Sequence, residues 1–369
     1  MNELELSSYD FSKIPFDRIV KIGQMSMLYR DMFTVSWILG RFCNYNCSYC
    51  WPYAHSQQKD HRPTELCLRT VDEIKRQARD NGFNSFHFSL SGGEPTFHPG
   101  YLDILQHLAD DVQNTNYTSI HMTTNLSQNM KWFQKYVDLS VKFSKAMITA
   151  SYHREYINTP EKMSLFADKL EFLQTYGVSV TINMVMVPEW FDMLYEEALY
   201  FHDRGINVTL KPQSDPKASY VVSGYTEEMM SKLHNGMPQR AYTESKTKII
   251  RPIDVEPILD LEKDGANVPQ QFNVELEDDT GKKWYMDQAE RFNAFNFNQF
   301  KGWSCNSGYQ SIVIREPDGN IKRSYSCSDK PLGNIETGFK LFDKPTVCIS
   351  KSCVSSADSK IPKSRGVAI

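Results

Sequence analysis

Three cysteines crowd into the segment CysAsnTyrAsnCysSerTyrCys at 43–50, with three residues between the first two and two between the last two. Thiolates at that spacing can wrap one metal centre from a single loop. A cuboidal iron-sulfur cluster offers four iron sites and is ordinarily held by four cysteines, so three local ligands leave one iron open to a substrate or cofactor. The competing reading is a zinc site completed by His55 or His61, although zinc modules usually pair two Cys-x-x-Cys knuckles and no second knuckle lies nearby. Four more cysteines, Cys305, Cys327, Cys348 and Cys353, gather toward the C-terminal end. Once tertiary folding brings them together they can ligate a second [4Fe-4S] cluster completely, or a structural zinc ion. Cys67 needs no metal, because it falls on the apolar stripe of a helix, where a thiol behaves as a small hydrophobe.

A second constellation is SerGlyGlyGluProThr at 91–96. Gly92 and Gly93 let backbone approach a ligand closely, and Glu94 can accept hydrogen bonds from an ammonium group. A plain glycine turn before a helix accounts for the two glycines alone.

These residues need elements to hold them, and the chain supplies a repeating pattern. From about Phe33 to Pro212, short strand-like runs alternate with amphipathic helices, which is the pattern of βα units and a parallel sheet. The six strand candidates are Thr34–Leu39, Ser85–Leu90, Ser119–Thr123, Ala146–Ala150, Val178–Val187 and Ile206–Leu210. Helical stripes lie between them, as in Cys67, Val71, Ile74 and Ala78. Three helices run into Gly82, Gly177 and Gly205, where a left-handed C-cap is expected. The expected fold is α/β, a partial (β/α)6 barrel with a small C-terminal extension that contains a β-hairpin, and ligands belong at the C-terminal ends of the strands. Both the cysteine segment at 43–50 and the glycine pair at 92–93 sit at such ends. After Pro212 the alternation stops. A helix near Thr226–His234, a proline-spaced stretch and a hairpin around 278–281 make a connecting region. A second hairpin uses ProAspGlyAsn at 317–320 as its turn. The expected division is an N-terminal segment at 1–32, the barrel at 33–212, the connection at 213–302, a cluster-binding extension at 303–353 and a partly mobile tail at 354–369.

Composition narrows the classes. The chain has 369 residues, with 41 basic against 45 acidic side chains and a net charge of −4. The slight acidity argues against dedicated nucleic-acid binding. No apolar run approaches a membrane span, and the start lacks a secretion-signal layout, so a cytoplasmic address without membrane association is expected. In that compartment eight cysteines point to metal rather than disulfides.

Cys43, Cys47, Tyr49 and Cys50 resemble the Cys-x3-Cys-x-aromatic-Cys signature of radical S-adenosylmethionine (SAM) enzymes. The resemblance implies a [4Fe-4S] cluster whose open iron chelates the amino and carboxylate groups of SAM. It also implies reductive cleavage to a 5′-deoxyadenosyl radical that takes a hydrogen atom from the substrate. Gly92, Gly93, Glu94 and Pro95 match the element that receives the SAM amino group. Thr124 and Asn125 resemble a Thr-Asn-Gly motif in which Leu126 replaces the glycine, and Ser151 corresponds to a contact to the SAM ribose. His153 stands where relatives have an acid; it either reaches the substrate as a catalytic group or serves as a capping and packing residue. Asn183 and Val185, with Lys211 and Pro212, fall where relatives contact methionine carboxylate, adenine or substrate.

The C-terminal cysteines resemble the shorter "twitch" relative of the SPASM auxiliary-cluster extension. That implies a second [4Fe-4S] cluster passing electrons or stabilising the region, and an electron donor such as flavodoxin or ferredoxin. The segment before the first strand is too short for the leader-recognition domain common in peptide-modifying relatives. The expected substrate is therefore a small polar molecule of sugar, aminocyclitol or nucleotide type with an oxidative outcome, and peptide modification is the runner-up. The rival from another class is a non-catalytic zinc or iron-sulfur protein. The Phe- and Asn-rich stretch at 292–300 with Trp303 reads as the core that docks the extension onto the barrel, or as stacking faces for a sugar or base.

Overall fold

A computed structural model describes residues 11–24, 31–217, 220–237, 274–286, 292, 295–316, 318–353 and 355–365. The expected proline-spaced stretch and the last residues of the expected tail lie outside the described residues.

Six parallel strands form the frame: β2 (Met32–Ile38), β3 (Ser85–Ser91), β4 (Tyr117–Thr124), β5 (Lys145–Tyr152), β6 (Ser179–Met186) and β7 (Asn207–Pro212). They pair in chain order and in parallel throughout. Between them run α1 (Thr64–Asp80), α2 (Tyr101–Asp110), α3 (Met130–Ser140), α4 (Pro160–Thr175) and α5 (Phe191–Asp203), followed after β7 by α6 (Glu227–Asn235). Successive strand residues point to opposite faces. Phe33, Val35 and Trp37, Phe86, Phe88 and Leu90, and their counterparts on β4–β7 pack outward against the helices in one buried core. Each such large side chain contributes about 1.5–3 kcal/mol when fully buried. The expected stripe Cys67, Val71, Ile74 and Ala78 is the buried face of α1. Gly82, Gly177 and Gly205 all adopt the left-handed conformation expected of them. Local side-chain caps start the helices after β4 and β5, with Asn129 accepting from Trp132 N and Thr159 from Lys162 N.

The partial barrel is open, as expected, and it gains a seventh parallel strand. In the expected second hairpin, β11 (Ser311–Ile314) pairs with β12 (Asn320–Lys322), and β11 also lies parallel to β2. Two short strands, β13 (Gly333–Asn334) and β14 (Gly338–Phe339), continue the same sheet, whose order is β14-β13-β12-β11-β2-β3-β4-β5-β6-β7. The stretch 303–353 thus divides between two sheets. Its other strands, β10 (Ser304–Cys305) and β15 (Thr346–Val347), join a six-stranded antiparallel sheet.

That second sheet runs β15-β10-β16-β1-β8-β9 and draws on distant parts of the chain. β1 (Ile19–Gln24) lies between β8 (Val274–Asp278) and β16 (Lys363–Ser364), and β8 forms the expected hairpin with β9 (Lys283–Met286). Residues 355–365 and the aromatic stretch both belong to this part of the molecule. Residues 355–365 of the expected tail are folded: the short helix α7 (Ser356–Ser359) and β16 are held by Lys363, whose Nζ donates to the carbonyls of Asp358, Ser359 and Ile361. Phe292, Phe297, Phe300 and Trp303 neither dock on the barrel nor stand free for stacking. They form a second core with Ile19, Ile22, Leu276 and Cys305.

Candidate metal-cluster and cofactor site

The cysteine loop leaves the C-terminal end of β2, and its base is closed by backbone bonds. Cys43 N donates to Ser56 O at 3.0 Å and Ser56 N to Arg41 O at 2.6 Å. Gln57 Nε2 reaches the carbonyls of Cys43 and Tyr45.

The loop is fastened to three other strand ends. At β3, Gly93 N donates to Gly40 O at 3.0 Å and Glu94 N to Phe42 O at 2.7 Å. The two glycines are required there: a Cβ on Gly92 would stand 2.3 Å from Gly40 O, and one on Gly93 2.3 Å from both Arg41 O and Phe42 O. Their close approach is thus to the chain's own backbone just before Cys43. At β5, Tyr156 stacks on Tyr45 with ring centroids 3.9 Å apart, its hydroxyl accepts from Asn46 N, and Glu155 accepts from both the amide and the hydroxyl of Ser48. At β7, Trp51 Nε1 donates to Ser214 Oγ at 2.9 Å.

Inside this frame the three thiols share a partly buried volume. Burial, then neighbouring negative charge, pushes Cys47 up to about 12; burial likewise dominates at Cys43, raised to about 11, and raises Cys50. Free thiols in this setting stay protonated at neutral pH, whereas a bound metal would take them as thiolates. Cys43 Sγ already has two N–H groups aimed at it, from Tyr45 N at 3.4 Å and Asn125 Nδ2 at 3.9 Å, the kind of donor that a metal-bound thiolate uses. Among the described residues no three His, Cys, Asp or Glu side chains converge tightly enough for one ion. Thiolates on a cuboidal cluster each bind their own iron and need no such convergence. The donor set fits a cluster.

The remaining candidates divide by what they touch. His153 Nδ1 lies 3.3 Å from Cys47 Sγ and 2.9 Å from Tyr49 Oη, so its imidazole rests on the cysteine loop. Asn125 is buried at the end of β4 and bonds Asn44 as well as Cys43. Glu94, expected to accept hydrogen bonds from an ammonium group, is 1% exposed. Its Oε1 accepts from Thr96 N, Thr96 Oγ1 and Thr124 Oγ1, and its Oε2 accepts from Asn125 N at 2.6 Å. The carboxylate ties β3 to β4. Pro95 opens the single 3-10 turn that follows. Leu126, in the place of the motif glycine, holds φ at +55°, and Lys169 Nζ secures its carbonyl and that of Gln128, both at 2.7 Å. Ser151, Asn183 and Lys211 lie on β5, β6 and β7, with Ser151 beside Asn183 and Lys211 beside Val185 in the pairing.

The fold also brings the four C-terminal cysteines into one region. Cys305 is in β10, and Cys348 directly follows β15, which pairs with β10. Charge on Cys305 and Cys327 acts on Cys348, and charge on Cys305 acts on Cys353. Cys327 is delivered by Asp358, whose carboxylate accepts from Tyr325 N and Ser326 N. Cys67 is buried on α1, as expected of a core residue.

Sequence reasoning missed the concave face. The inward positions of β2–β7 are largely polar, among them Thr34, Ser36, His87, Ser89, His121, Lys145, Thr149, Ser151, Asn183 and Lys211, with Met32, Ile38, Tyr117, Met147 and Val185 on the same face. The signal was present as polar residues at every second place, as in His87-Phe88-Ser89-Leu90-Ser91. The lining is polar where the interior of a closed barrel is packed with bulky apolar side chains.

Comparison with known proteins bears on the loop and its frame. Residues 37–200 match the family described as the Radical SAM superfamily. Among curated proteins, 174 residues are 24% identical to "GTP 3',8-cyclase" of Agrobacterium fabrum (strain C58 / ATCC 33970). That match takes in 46% of this chain and 48% of the relative, about half the length of each. Among solved structures, "Native anSMEcpe with bound AdoMet" aligns over 84% of this chain and 79% of that one, with a TM-score of 0.49 and 14% identity. A histidine-tagged form of the same protein, also with bound AdoMet, aligns with a TM-score of 0.48, 15% identity and the same coverage. The stretch that is similar to the radical SAM superfamily holds all three cysteines of the 43–50 loop and most of the parallel sheet that frames it.

Proposed function

We propose that the chain is a radical SAM enzyme acting on a small polar substrate held against the concave face of its sheet. The observation that carries this reading is the cysteine loop, fastened at the C-terminal mouth of a chamber lined by hydroxyl, amide, imidazole and amine groups. Cys43, Cys47 and Cys50 would hold a [4Fe-4S] cluster, and Gly92, Gly93, Asn125, Ser151, Asn183 and Lys211 would receive SAM. With an electron from an external donor, the bound cluster and SAM would supply the chemistry of a 5′-deoxyadenosyl radical able to take a hydrogen atom. Glu94 fixes the glycine turn and Asn125 relative to each other. His153, Tyr156 and Glu155 position the loop. The similarity to a protein named GTP 3',8-cyclase favours the nucleotide type among small polar substrates. A second [4Fe-4S] cluster at Cys305, Cys327, Cys348 and Cys353, an oxidative outcome and a flavodoxin- or ferredoxin-like donor complete the proposal.

The test is anaerobic reconstitution, iron and sulfide analysis, and an assay for 5′-deoxyadenosine with SAM and dithionite. Two clusters correspond to about eight irons per chain, and replacing Cys305 and Cys327 by alanine should remove about half. Zinc in place of iron, or no deoxyadenosine from a protein with its cluster intact, defeats the enzyme reading.

A further inference from the structure

The floor of the chamber, at the N-terminal ends of the strands, carries a lysine, Lys145, that the mouth chemistry does not use. In the parallel pairing Thr34, His87, Ser119 and Lys145 stand side by side on β2, β3, β4 and β5, and Ser36, Ser89 and His121 form the next inward row. The cysteine loop is at the opposite ends of these strands. The cysteines at the mouth are therefore poor partners for a lysine on the floor.

The imidazoles are held rather than loose. His87 Nδ1 shares a hydrogen bond with Ser119 Oγ at 2.8 Å, and His121 bridges Ser89 Oγ and Thr149 Oγ1, both at 2.8 Å. The half-buried side chain of Lys145 makes no hydrogen bond or ion pair among the described residues. Burial, followed by the charges of His121, Lys360 and Lys145, depresses His87, and burial followed by Lys360 depresses His121; no carboxylate acts on either ring to oppose this. None of β2–β7 or β11 contains an aspartate or glutamate. A neutral sugar has no need of such a floor, and a cationic aminocyclitol would be repelled by it.

We propose that Lys145 and His87, with the hydroxyl of Thr34, form an oxyanion-binding site at the base of the chamber that receives a phosphate or carboxylate group of the substrate. The proposal rests on reading the concave face as the substrate chamber and narrows the substrate class to anions. A lysine with free N–H donors, in the same row of the sheet as an imidazole with one ring nitrogen unengaged and a threonine hydroxyl, suits an oxyanion with several acceptor atoms.

The test uses the reconstituted holoprotein. Phosphate, tripolyphosphate and malonate are titrated by isothermal calorimetry at constant ionic strength, with glucosamine as the cationic control. Binding of the phosphates alone identifies a phosphoryl group, and binding of malonate alone a carboxylate; either supports the site if Lys145→Met weakens it about tenfold and Lys145→Arg largely restores it. Should Lys145→Met fail to fold, wild-type protein is acetylated with and without the bound anion, and protection of Lys145 in the peptide map is the expected result. Anion binding that Lys145→Met leaves unchanged, acetylation of Lys145 that no anion slows, or failure of every anion to bind overturns the proposal. The same preparations are assayed for 5′-deoxyadenosine. Wild-type protein that produces it but binds no anion refutes the anion site alone, whereas anion binding without SAM cleavage refutes the enzyme reading alone.

Discussion

Replacing Gly93 by alanine should separate the cysteine loop from the end of β3. The added Cβ would lie 2.3 Å from the carbonyl oxygens of Arg41 and Phe42, and 2.6 Å from the Phe42 carbonyl carbon. These are backbone atoms that cannot rotate away, so the two segments must move apart by most of an ångström. Overpacking of that kind costs about 1–3 kcal/mol, and the adjacent bonds Gly93 N to Gly40 O and Glu94 N to Phe42 O are worth about 1 kcal/mol each, so the loss is roughly 3–5 kcal/mol. Part of it should fall locally on the loop that carries Cys43. Thermal melting and iron content after anaerobic reconstitution are the assays, with Gly23→Ala as the control, since a Cβ on Gly23 meets nothing within 4 Å. The control should change stability by no more than about 1 kcal/mol. Gly93→Ala protein that melts with the wild type and keeps all its iron would show that the glycine pair is not there to seat the loop.

Other expectations concern separate parts of the molecule. Asp358→Ala removes the acceptor of Tyr325 N and Ser326 N, and should cost about 2–3 kcal/mol and lower the iron bound by the C-terminal cysteines; unchanged iron would mean that Cys327 is placed by other contacts. Lys169→Met leaves the Leu126 and Gln128 carbonyls without their donor and should lower the urea midpoint by an amount equivalent to about 1–3 kcal/mol, and an unaltered midpoint counts against the clamp. Leu126→Gly relieves about 1–2 kcal/mol of backbone strain but deletes a side chain worth about 2–5 kcal/mol in the core, so net destabilisation is expected and a gain in stability would contradict it. At Asp111 burial raises the pKa, but Lys75, Asn114 and Arg79 outweigh it and hold it at about 2. Because the folded value is depressed, this contribution is complete above about pH 4 and is lost as pH falls toward 2. Wild-type stability should therefore fall more steeply than that of Asp111→Asn across this window, and parallel curves would exclude the effect.

What could be read in the sequence was what local periodicity encodes. Phe86 and Phe88 alternate with His87 and Ser89, and Val71, Ile74 and Ala78 recur at helical spacing, so the strands and helices between β2 and β7 were legible, and the spacing of Cys43, Cys47 and Cys50 marked the loop. Partners far apart in the chain left no such mark. SerIleValIle at 311–314 reads as a hairpin strand whether or not it also lies beside β2. Lys363 and Ser364 carry nothing that announces pairing with β1 and β10. The same holds at the site, where Tyr156 stacked on Tyr45 and Glu155 on Ser48 depend on how the end of β5 meets the loop. Glu94 was legible as a functional-looking carboxylate, yet only the fold shows its oxygens committed to Thr96, Thr124 and Asn125.

The placement of β1 between β8 and β16 bears on how the protein is made. During synthesis the βα units from β2 to β7 can assemble as they leave the ribosome, each strand meeting a neighbour that has just emerged. Lys21, by contrast, ends beside Glu277 and Ser364, so this strand must wait for residues translated long after it. Contacts of such wide sequence separation form slowly, because the intervening chain must be closed before they return any free energy. The sheet that carries Cys305 should therefore mature after the loop that carries Cys43, giving the cell a window in which the first three cysteines are gathered and the last four are not.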